Sequence, residues 1–140
     1  GGEEFDLGRA AALEEHHLEG MFALGEIDRA VTIDPRCARI ADEYRKAVES
    51  QPTFRLARLN LGRMLIAIGQ NEDAIIELLK LSQPLDAETP RYMFALSVAY
   101  VRAGKKEEAI KWATEARRLA LEYGQLELAA TIERDMAKLK

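Results

Sequence analysis

The strongest constraint on this chain is that one pattern occurs twice in its second half. Leu61-Gly62, Leu65, Gly69, Ala74, Leu78 and Leu81 recur as Leu96-Ser97, Tyr100, Gly104, Ala109, Ala113 and Ala116, always 35 residues on. A constant offset across small, apolar and glycine positions is the signature of a repeated structural unit. Within each copy the apolar residues fall three and four apart, as on one face of a helix: Leu61, Leu65 and Ile68, then Leu96, Tyr100 and Ala103. A glycine divides each copy, so each reads as a helix, a tight corner and a second helix.

The residue types have physical reasons. Two helices cross closely only where small side chains let the backbones approach, so Gly62 is expected to face Ala74, and Ser97 to face Ala109. Gly69 and Gly104 suit the left-handed position just past a helix end, which other residues enter at a cost. Asn71 is expected to cap the helix that follows, with Glu72 and Asp73 favourable in its positive first turn.

The segments NLGRMLIAIGQNEDAIIELL and ALSVAYVRAGKKEEAIKWAT resemble the tetratricopeptide repeat family. Both carry a small residue after Leu, a Gly in mid-repeat and an acidic-x-Ala-Ile opening of the second helix. The resemblance is clearest over residues 52–122. It implies an all-α fold, an antiparallel stack of helical hairpins (an α-solenoid) with about seven helices and a right-handed curl.

The chain's 140 residues are one domain's worth, and 48% hydrophobic with 31% charged is a globular balance. A net charge of −4 argues against nucleic acid as the main partner, since phosphate binding needs a surplus of Lys and Arg. No apolar run approaches the roughly 18 residues that a membrane span needs. The one Cys excludes an internal disulfide.

The first third is less regular. Leu7, Ala10, Ala11, Leu13 and Leu18 read as helical, as do Met21, Leu24, Ile27 and Val31 beyond Gly20. Asp34-Pro35 then reads as a cap and first helical position for a helix running to just before Pro52. Tyr44, Ala47 and Pro52 match the end of a second helix of the family, yet Ala30 and Pro35 match the same landmark half a repeat earlier. The expected organisation is a diverged helical segment over 1–35, then repeats over 36–140, in one compact domain. The last helix, from Gln125 to Leu139, is expected to close the apolar end of the stack with Leu126, Leu128, Ala129, Ile132, Met136 and Leu139.

Few residues suggest reaction chemistry. His16 and His17 are adjacent, about 100° apart on a helix, whereas ligands on one face lie three or four apart, so no metal or other cofactor is expected. Cys37 opens a helix with no His nearby in sequence; a catalytic thiol is the remote alternative. Lys111 is expected to pair with Glu107. Trp112 reads as an inter-repeat packing residue before a ligand anchor.

The resemblance implies a binding groove instead, lined by the first helices of successive repeats. Carried over to this chain, its positions are Leu56, Leu59, Asn60, Arg63, Ile66 and Ala67 from one repeat, with Arg91, Phe94, Val98, Val101 and Arg102 from the next. Such a face suits a protein or peptide with apolar anchors and carboxylates. The clamp with which the family holds a terminal carboxylate is mostly apolar here, which departs from that mode. The expected function is non-enzymatic: a protein–protein interaction or scaffold module. Two alternatives stand beside it, that the groove is filled by the chain's own N-terminal helices or that the groove or an open stack end meets a second copy as a homodimer.

Overall fold

The computed structural model describes residues 35–139, and every regular element among them is an α-helix. The six are α1 (Pro35–Ser50), α2 (Arg55–Ala67), α3 (Asn71–Leu79), α4 (Thr89–Arg102), α5 (Lys106–Glu122) and α6 (Leu126–Ala137). Each packs against the next in sequence, and α2 also touches α4. The seventh expected helix falls on residues 1–34, outside the described residues, as do His16 and His17.

Three corners share one geometry. Gly69, Gly104 and Gly124 have φ of 82°, 78° and 71°, the left-handed region open to glycine. The amide after each glycine donates back over the corner: Gln70 to the Leu65 carbonyl at 2.8 Å, Lys105 to Tyr100 at 2.8 Å and Gln125 to Ala120 at 2.7 Å. Each glycine amide donates to the carbonyl three residues back, completing a Schellman closure that satisfies the last carbonyls of the helix. The next helix begins two residues after each glycine. Acidic pairs then occupy the positive first turns, Glu72 and Asp73 on α3 and Glu107 and Glu108 on α5.

The tight corners move one expected role. With only Gln70 between Gly69 and α3, Asn71 is the first helical residue rather than the cap. Its Nδ2 instead donates to the Arg102 carbonyl at 3.1 Å, joining the start of α3 to the end of α4. Lys105 reaches Glu72 at 3.4 Å along the same edge.

The connections from α1 to α2 and from α3 to α4 lie at the opposite end of the helices. There Arg55, opening α2, donates to Asp86 through Nη1 at 2.7 Å and Nη2 at 3.2 Å, and its guanidinium sits 4.8 Å from the Tyr92 ring centre. Arg58 is almost fully buried and spans α2, α3 and the preceding turn by donating to Glu77 and to the Pro52 carbonyl.

The core is one cluster running from Cys37, Ala41 and Tyr44 through Leu61, Leu65 and Leu78 to Leu96, Leu119 and Ile132. Small residues bring the helices together. Along α5, Ala109, Ala113, Ala116 and Ala120 are all fully buried. At Gly62 an added methyl would stand 2.6 Å from Leu78 Cγ and Cδ2. The nearest side chain across that crossing is therefore Leu78, one turn beyond the expected Ala74. Side chains lean toward the N-terminus of their own helix, so Leu78 covers the space above the preceding turn.

Two further expectations change. Lys111 lies 5.7 Å from the Trp112 ring centre rather than in an ion pair with Glu107. On α6 the buried stripe is Ala129, Ile132, Asp135 and Met136, while Leu126 is exposed. Leu126 is the first residue of α6, and its side chain projects from the corner instead of lying on the core face.

Candidate functional site

The expected groove positions lie on α2 and α4, which run in the same direction because one intervening hairpin returns the chain. The two helices touch each other. Their starts are locked by the Arg55–Asp86 pair. Asp86 also accepts from the Glu88 amide at 2.9 Å, and Thr89 Oγ1 lies 3.2 Å from its Oδ1. Thr89 Oγ1 in turn donates to the Pro84 carbonyl at 2.8 Å. The Arg55 guanidinium first, and then the Glu88 amide, hold the Asp86 carboxyl down at about 2. Burial pushes the Tyr92 hydroxyl above its ordinary value.

The sequence-expected residues divide by depth. Leu59, Asn60, Ile66 and Val98 are no more than 2% exposed, and Ala67 is buried with them. Arg63, Phe94, Val101 and Arg102 are half-buried. Leu56 is 44% exposed and Arg91 is exposed beside Glu88, 3.6 Å away. The two exposed side chains of this face, Leu56 and Arg91, stand near the helix starts. The alternative in which the N-terminal helices fill the groove concerns residues 1–34 and lies outside the described residues.

A second concavity was missed in the sequence. A cleft of about 310 Å³ lies between the α3–α4 connection and α5, lined by Ser82, Gln83, Leu85, Met93, Lys111, Trp112 and Glu115. Met93 is its buried floor and Leu85 its exposed apolar lip. The available signal was a Leu standing alone in a polar connection, 27 residues from the one Trp of the chain. Their meeting depends on how α3, α4 and α5 pack.

Among the described residues no three His, Cys, Asp or Glu side chains come together as metal ligands. Cys37 is buried. No described helix is long and apolar enough to cross a membrane. The chain matches no family model, no curated protein and no solved structure.

Proposed function

We propose that this chain is a tetratricopeptide-like stack of helical hairpins that works without catalysis, as a protein–protein interaction module. Its partner contributes an extended or helical segment with apolar anchors and carboxylates, docked along the α2/α4 face. The reading is supported by the 35-residue period and by the matching Schellman corners at Gly69 and Gly104. The observation that carries it is the side-by-side placement of two like-directed helices with Leu56, Arg91 and Phe94 toward one end. Leu56 and Phe94 supply apolar contact there, and Arg91 supplies charge for a carboxylate. The buried Leu59, Asn60, Ile66 and Val98 form the floor beneath. An affinity near micromolar, about −8 kcal/mol, is ordinary for a contact of this size.

Cross-linking from a photoreactive residue placed at Leu56, followed by identification of the captured segment, tests the proposal. Capture should weaken with Phe94→Ala and Arg91→Glu. Capture of the same proteins at unchanged yield by both variants would refute docking on this face.

A further inference from the structure

Exposed apolar side chains are not spread evenly over the described residues. Of the seven large ones, Leu56 and Ile76 lie near the start of α2 and within α3, whereas Leu79 and Leu85 lie at the end of α3 and in the connection after it, and Leu121, Tyr123 and Leu126 flank the α5–α6 corner. These two segments are neighbours, because Gln125 Nε2 donates to the Ala87 carbonyl at 2.6 Å. The opposite edge, around Gly69 and Gly104, presents Gln70, Glu72, Asp73, Lys105 and Lys106 to solvent. A one-sided gathering of large apolar groups marks an association surface.

Most charges on the apolar edge are paired within the chain. Arg55 pairs with Asp86, Lys80 with Glu77, Arg91 with Glu88, and Arg118 with both Glu115 and Glu122. With these charges paired within the chain, two copies of a chain of net charge −4 meet here with less repulsion than across unpaired carboxylates. The edge further holds both halves of a fit: a projecting side chain, Leu126 at 68% exposed, and the cleft between Leu85 and Trp112 over Met93. A twofold contact needs a surface that complements itself in this way.

We propose that two copies of this chain associate edge to edge about a twofold axis, the Leu126 side chain of each seating in the Trp112 cleft of the other. The side chains this contact uses, Leu85, Trp112 and Leu126, are not among those proposed to dock a partner on the α2/α4 face, so variants at them test the two readings separately.

Sedimentation velocity of the full chain from about 1 to about 500 µM should show a monomer–dimer equilibrium. Emission of the one Trp should shift to the blue over the same range as its cleft is covered. Leu126→Glu and Leu85→Glu alter exposed side chains, so helicity and melting should be kept while the dissociation constant rises roughly tenfold or more. Because the seated side chain is apolar, added salt should not dissolve the dimer. A monomer throughout the range, a dimer indifferent to both substitutions, or a dimer lost in salt would each overturn the proposal. So would a Trp emission that does not move as the dimer forms.

Discussion

The crossing of α2 over α3 offers the sharpest test of the packing, through Gly62→Ala. On an isolated helix this change is favourable by about 1 kcal/mol, because Ala loses less backbone entropy than Gly. In the fold the new methyl stands 2.6 Å from Leu78 Cγ and Cδ2 and 3.1 Å from Cδ1, well inside contact distance. Leu78 is 1% exposed, so any turn of its side chain is into the core rather than into solvent. Overpacking of this kind costs about 1–3 kcal/mol. The steric term wins, and the net expected loss is about 1 kcal/mol, or roughly 4 °C in Tm for a chain of this size. Leu78→Ala alone should cost about 2–5 kcal/mol through the cavity it leaves. In that background the sign of Gly62→Ala reverses: the methyl has room and the helix gain remains, so it should stabilise by about 1 kcal/mol. Urea melts of the four proteins close the cycle, with an expected coupling of about 2 kcal/mol. Gly62→Ala stabilising the unmodified chain, or a coupling below about 0.5 kcal/mol, would refute the crossing as described.

The other predictions separate strain, charge and volume. At Gly104 an added methyl meets nothing within 4 Å, yet φ is 78°, so Gly104→Ala should cost about 1 kcal/mol by strain alone and Gly104→Asn less, read from thermal melts. Asp86 has its folded pKa lowered from 3.8 to about 2, so its contribution to stability is present above 3.8 and lost as pH falls toward about 2. Asp86→Asn should therefore flatten the acid limb of stability against pH over that window; an unchanged limb would contradict the Arg55 pairing. Arg58→Ala removes the buried donor to Glu77 and the Pro52 carbonyl, leaving Glu77 only Lys80 at 3.6 Å, and should cost about 2 kcal/mol in urea melts, whereas Glu77→Ala added to it should cost little more. Ala109→Leu, at a fully buried crossing of α5, should cost about 1–3 kcal/mol by the same measurement.

How much was legible depended on the range of the interaction. The glycine corners at 69 and 104 are local events: a left-handed residue closes the last helical turn whatever lies beyond, so the letters predict the geometry. The apolar spacing of Leu61, Leu65, Leu96 and Ile132 likewise announces which side of each helix is buried. The groove residues show where this stops. Their assignment to two first helices followed from the repeat, but the withdrawal of Asn60 and Val98 from solvent, against the exposure of Leu56, is set by what packs around each helix.

The amino-acid order by itself determined that this chain is helical over the described residues, where those helices turn, and which faces seek one another. Those outcomes rest on backbone conformation and on periodicity within a few turns. Only the tertiary structure decided that Asn71 spends its amide on the Arg102 carbonyl, that Arg58 lies buried against Glu77, and that Leu85 and Trp112 share a cleft. Each of those joins residues at least 19 positions apart, and a side chain's partner at that range is chosen by the crossing of whole helices, which no short window of sequence encodes.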